Sequence, residues 1–192
     1  MCCRPGSTRA TTRLEPPRLT LVACAPDHLI ALREQPDRFH SLVGFPIAPG
    51  IHAFYDSNAV SAAWLEALRA AAGTPPDPWQ YGFFIVETST GTVIGSAGFK
   101  GPPDAEGMVE IAYGVDPSRQ GQGFATEAAG ALVRYAAADP RVRLLRAHTL
   151  PEANASTRVL RKCGFVHIGG VVDPDDGPVW RWERSAPHIG VT

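Results

Sequence analysis

Val115-Asp116-Pro117-Ser118-Arg119-Gln120-Gly121-Gln122-Gly123-Phe124-Ala125-Thr126-Glu127-Ala128 is the stretch on which the fold turns. A strand-like run at residues 107–115 (GMVEIAYGV) feeds a glycine-punctuated turn, and the turn opens a helical run at 121–138. The first-turn N–H groups of a helix lack intrahelical acceptors, and the helix dipole adds positive potential there. Such a junction suits an anion such as a pyrophosphate. Gly121 and Gly123 carry no Cβ that would hold a phosphate off the backbone, and Arg119 adds a cation nearby. A G-x-G turn alone also fits a plain strand-to-helix turn that needs a positive φ. The third glycine of a Rossmann site is replaced by Thr126, the upstream strands read as antiparallel, and the Gly-Lys-Ser/Thr of a P-loop is missing.

Upstream, residues 18–24 (RLTLVAC) alternate as a first strand, and Leu29, Ile30 and Leu32 suit a short helix begun at 25–27. Residues 39–52 carry Gly44, Pro46, Pro49 and Gly50 and read as a surface loop. Val60, Trp64, Leu65 and Leu68 share one face of an amphipathic helix over 57–72. Strands follow at 81–87 and 92–100, joined by a hairpin turn at 88–91, and with 107–115 they make an antiparallel meander. Downstream come a strand at 142–149, a helix at 153–162 and a closing strand at 179–183. The order predicts an α/β (α+β) fold: a mixed, mostly antiparallel sheet of six to seven strands with helices on both faces. Residues 1–17 are expected to be a disordered leader, 18–184 a single domain and 185–192 a tail.

The chain has 192 residues, 44% hydrophobic and 19% charged, which is the composition of one globular domain. A formal charge of -1 leaves no electrostatic footprint for nucleic acid or an anionic membrane. No apolar run approaches the ~18 residues that span a bilayer. The start, MCCRPGS, lacks the apolar core of a secretory signal. Cys2, Cys3, Cys24 and Cys163 form no C-x-x-C pair, so no metal site or redox motif is expected and a reducing cytoplasm is the expected setting.

A second segment, Asn154-Ala155-Ser156-Thr157-Arg158-Val159-Leu160-Arg161-Lys162-Cys163-Gly164-Phe165, resembles the second cofactor motif of the GNAT N-acetyltransferase superfamily. Gln120-Gly121-Gln122-Gly123-Phe124-Ala125 is similar to that family's acetyl-CoA turn, Gln/Arg-x-x-Gly-x-Gly/Ala, with Val-x-Pro before it and Thr-Glu-Ala after it. The details look most like the branch of ribosomal-protein N-terminal acetyltransferases. The specific resemblance covers residues 106–168, and the order of elements agrees over 18–184.

The resemblance implies the GNAT fold with a splayed cofactor cleft, acetyl-CoA as co-substrate and no metal. Gln120, Gly121, Gln122, Gly123, Phe124 and Ala125 would hold the coenzyme A pyrophosphate. Tyr113 and Val115, on the strand before the turn, would pair with the pantetheine arm and offer N–H groups to an oxyanion. Asn154 would bond the same arm, and it equally suits capping the helix it precedes. Glu110 is the candidate base for the amine proton; otherwise it is a strand glutamate, solvated or tied to Arg181. Leu160 stands where many relatives place a tyrosine acid, which makes Thr157 the candidate proton donor, with a helix-start hydrogen bond as its plain role. Cys163 reads as core, Trp180 and Trp182 as core or wall with lining of the acceptor pocket as the alternative, and His148 as a sheet residue or an alternative base.

The implied reaction is acetyl transfer from acetyl-CoA to a primary amine, on a protein or peptide N-terminus or a small molecule, in a ternary complex. The alternative is a non-catalytic CoA-binding sensor. An amine-bearing acceptor is the expected partner, and a homodimer enters only through the resemblance. Family precedent puts the acceptor against residues 33–58 and 169–178. There Phe39, His40, Phe54 and Tyr55 are candidate walls, and Asp173, Asp175 and Asp176 would attract a cationic amine.

Overall fold

Phe83–Glu87 is buried on both of its faces, so it needs packing above and below. In the computed structural model, which describes residues 13–56, 61–174 and 177–186, helices supply both layers. The elements run β1 (Arg13–Leu14), β2 (Leu19–Ala23), α1 (Pro26–Glu34), α2 (Pro36–Val43), α3 (Pro49–Asp56), α4 (Ala62–Ala70), α5 (Pro78–Tyr81), β3 (Phe83–Glu87), β4 (Thr92–Phe99) and β5 (Met108–Val115). After the cofactor-like turn come α6 (Phe124–Ala137), β6 (Leu144–Thr149), α7 (Ala155–Lys162), β7 (Val166–Asp173) and β8 (Gly177–Ser185). The strands form one sheet in the order β1-β2-β3-β4-β5-β6-β8-β7. All neighbours are antiparallel except β5 and β6.

Strand alternation divides the core. Phe83 and Ile85 pack with Leu19, Leu21, Ile111 and, from α6, Phe124 and Leu132. Phe84 and Val86 pack on the other face with Leu29, Leu32, Phe39 and Leu68 of α1, α2 and α4. Trp182 is buried, and its indole N–H donates to Thr149 Oγ1 at 3.1 Å. Cys163 packs in the α6-side core.

The sheet opens along β5. Residues 108–110 pair with β6, whereas residues 111–115 pair only with β4. The ladder bonds Lys100 N–H to Glu110 O and Asp116 N–H to Ile94 O commit the even-numbered residues of β5 to β4. The backbone groups of Ile111, Tyr113 and Val115 therefore face the gap that widens between β5 and β6.

Several expectations change. The stretch 39–52 is mostly helical, because Pro36 and Pro49 start α2 and α3 and Gly44, at φ +84°, caps α2. Proline and glycine there mark helix ends. Residues 166–173 form β7; its alternation is broken by a register shift at His167/Gly169 and by the Gly169-Gly170 pair. With β1 and β7 the sheet reaches eight strands instead of six or seven. Arg13–Leu14 pairs with β2, so order begins inside the expected leader. Ala186 is buried and its N–H bonds Arg143 O, so order also runs past 184. Residues 1–12 of the leader, residues 57–60 of the expected helix, Asp175, Asp176 and residues 187–192 lie outside the described residues. Among the described residues no helix is long and apolar enough to cross a membrane.

Candidate functional site

The turn after β5 is built by its own side chains. Asp116 is 4% exposed and accepts hydrogen bonds from Ser118 N–H at 2.9 Å, Ser118 Oγ at 2.6 Å and Gly50 N–H at 2.8 Å. These bonds, Ser118 Oγ first, hold its carboxyl below the ordinary aspartate value. Gln120 Nε2 donates to Val115 O at 3.2 Å, and Gln122 Nε2 to Ser118 O at 3.4 Å. Gly121 and Gly123 sit at φ +75° and +88°, and Gly123 is the N-cap of α6. From the turn just before β2, Arg18 ion-pairs with Glu127, donates to Gln122 O at 3.0 Å and lies over the Phe124 ring at 4.7 Å.

A cavity of about 450 Å³ lies between this turn, α7 and the open side of β5. Gly121, Gly123 and the first residues of α6 form one wall, and Tyr113 and Val115 form another. Arg158 and Lys162 stand on its α7 side, two cations that sequence reasoning passed over. Their i, i+4 spacing on a capped helix was the available signal. Arg119 also reaches the cavity, but its Nε donates to Glu87 at 3.1 Å, so its charge is already matched.

Asn154 and Thr157 form a reciprocal capping box. Thr157 N–H donates to Asn154 Oδ1 at 3.1 Å, Asn154 N–H to Thr157 Oγ1 at 3.2 Å, and Thr157 Oγ1 to Asn154 O at 2.9 Å. Thr157 is 1% exposed and lines neither cavity, so its hydroxyl serves the cap. Leu160 is core. Tyr113 reaches across to α7, where its hydroxyl donates to Ser156 O at 3.4 Å, and burial pushes its phenol pKa up.

A second cavity, about 720 Å³, opens on the other side of β5 and shares Tyr113, Gly114, Val115 and Gln120 with the first. Ile51 and Tyr55 of α3, Trp64 of α4, Tyr81 of α5 and Phe99 of β4 wall it. Burial pushes the Tyr55 phenol up to about 12 against a hydrogen bond with Ser96. Of the other expected walls, Phe39 is core and His40 is exposed, while the Phe54 side chain lies outside the described set. Asp173 ends the outermost strand and does not line the cavity.

Glu110 is tied not to Arg181 but to Lys100 Nζ at 2.7 Å and His148 Nδ1 at 3.0 Å. Arg181 instead approaches Glu183 at 3.6 Å. Glu110 and His148 are each 14% exposed at the side chain. Glu110 shares its strand face with Ala112 and Gly114, which do line the larger cavity, and stands one two-residue repeat, about 7 Å, behind them. Among the described residues no group of three or more His, Cys, Asp or Glu is placed to hold a metal.

A family model described as an acetyltransferase (GNAT) domain matches residues 18–166. An uncharacterized N-acetyltransferase, YjdG of Bacillus subtilis (strain 168), is 31% identical over 90 residues, which is 47% of this chain and 51% of the relative. The chain thus spans about half the length of the curated relatives it matches. Among solved structures, a ribosomal L7/L12 alpha-N-protein acetyltransferase in complex with coenzyme A superposes with a TM-score of 0.63 at 18% identity, over 92% of this chain and 99% of that one. A ribosomal-protein-S5-alanine acetyltransferase from Vibrio fischeri gives 0.62 at 14% identity, over 91% and 96%. At these identities the likeness is one of fold.

Proposed function

The chain belongs to the GNAT acetyltransferase family, and on that footing we propose that it transfers an acetyl group from acetyl-CoA to a primary amine, with both molecules bound at once. The observation that carries this reading is the meeting of two unlike cavities at the splayed end of β5. One has positive-φ glycines, a helix N-terminus and three cations, of which Arg119 is paired with Glu87; the other is walled by aromatic rings.

Bound acetyl-CoA supplies an activated thioester. The first-turn amides of α6 and the turn at Gly121 and Gly123 bind its pyrophosphate, and Arg158 and Lys162 face its remaining phosphate charge. The gap-facing backbone of Tyr113 and Val115 aligns the extended arm as a neighbouring strand would, leaving an N–H for the acetyl oxygen. Glu110, oriented by Lys100 and His148, takes the amine proton through a water that spans the step to the cavity wall. Asn154 and Thr157 act by positioning the first turn of α7. The Tyr113 hydroxyl, a phenol that is protonated at neutral pH and that burial holds further in that form, donates a proton to the departing thiolate.

Calorimetric titration with acetyl-CoA, followed by thiol release against a panel of amines and N-terminal peptides, tests this. Binding with release is expected. Binding without release across the panel would favour a CoA sensor, and no binding would overturn the reading.

A further inference from the structure

The charged groups near the site are divided unevenly. Arg119, Arg158 and Lys162 line the coenzyme-side cavity, whereas none of the described residues lining the larger cavity carries a charged side chain. Its neutral polar groups are largely engaged: Ser96 bonds Tyr55, and Gln120 is held on Val115 O. Gln80 stands exposed at the edge. The remaining surface is dominated by Ile51, Tyr55, Trp64, Tyr81, Phe99 and Tyr113.

The geometry points to a specific acceptor class: a primary monoamine on an aromatic or branched apolar body, with no second charge inside the cavity. This rests on the acetyltransferase reading and names its substrate class. A buried charge is tolerated only with a partner, and the described walls supply none, so polyamines, amino acids with a free carboxylate and basic peptide ends are disfavoured. The same walls favour the neutral amine over the ammonium ion, which is the form that attacks. A volume of about 720 Å³ accommodates a small molecule with one or two rings. The cavity lies across β5 from the coenzyme turn, so the amine on such a body meets the thioester at Tyr113 to Val115.

The test compares phenylethylamine and an indolylethylamine with their α-carboxylated counterparts, with spermidine and with a lysine-rich peptide, by thiol release. Calorimetry then follows the matching alcohols, which lack the amine, on the CoA-loaded and CoA-free protein. The expected result is kcat/KM at least about tenfold higher for the uncharged-body amines, with the arylalkyl alcohol binding more tightly than its carboxylated analogue. Trp64→Ala should weaken the aromatic amines about tenfold while leaving the acetyl-CoA Kd unchanged. Equal or better turnover of spermidine, a carboxylated amine or the peptide overturns the class and leaves the acetyltransferase reading standing. Failure to bind acetyl-CoA sinks that reading instead, and the alcohols still judge the cavity: tighter binding of the carboxylated analogue overturns the proposal.

Discussion

Asp116 Oδ2 accepts the backbone N–H of Gly50 at 2.8 Å, which pins the first turn of α3 to the residue that follows β5. One carboxylate thereby joins the wall of the larger cavity to the start of the turn that carries Gly121 and Gly123. A Cβ on Gly50 would meet Asp116 Oδ2 at 2.5 Å and Pro117 Cδ at 2.9 Å. Gly50→Ala is expected to cost about 1–3 kcal/mol and to weaken acetyl-CoA and acceptor together. Urea melts and two binding titrations check it; loss of one ligand alone would uncouple the two walls.

The same carboxylate sets a pH response. Its folded pKa lies below the ordinary value of 3.8, through the Ser118 hydroxyl, the Ser118 N–H and the Gly50 N–H. Its contribution to stability is therefore complete above 3.8 and lost as pH falls through the lower folded value. Asp116→Asn should shrink the difference between urea midpoints at pH 7 and pH 3. An unchanged difference would remove Asp116 from the acid response.

Glu110→Gln should leave acetyl-CoA affinity nearly intact and lower kcat by about 10²–10⁴, with a weaker rise of rate with pH. Wild-type rates at every pH would mean that another group takes the proton.

Gly123→Glu places a carboxylate and a strained left-handed backbone where Gly123 sits at φ +88°. Acetyl-CoA binding should fall below detection while the circular dichroism spectrum is retained. Arg158→Ala and Lys162→Ala should each cost about five- to tenfold in CoA affinity, and less in high salt. A loss of the same size for dephospho-CoA would place these cations elsewhere on the coenzyme.

Thr157→Val removes a hydroxyl that both donates and accepts within the cap. Its expected effect is a loss of about 1–2 kcal/mol in stability, with kcat little changed below the melting range. Loss of kcat without loss of stability would make Thr157 a proton donor after all. Tyr113→Phe is the paired variant, expected to lower kcat with its packing preserved.

Residues 115–128 and 154–165 announced the strand, the glycine turn and the two helices because those depend on neighbours in sequence: positive-φ glycines, a capping box and helical periodicity. The antiparallel strands were legible for the same reason, since FFIVE and its hairpin carry their own alternation and turn. Loop-like proline and glycine concealed α2 and α3, because a helix boundary and a loop use the same residues. What only the tertiary structure decided is what meets what across the sheet. Glu110 faces Lys100 and His148, and Thr157 turns its hydroxyl into its own cap. Aromatic residues from α3, α4, α5 and β4 converge on a space without described charge. Those relationships join residues far apart in the chain, and register and packing, not local propensity, bring them together.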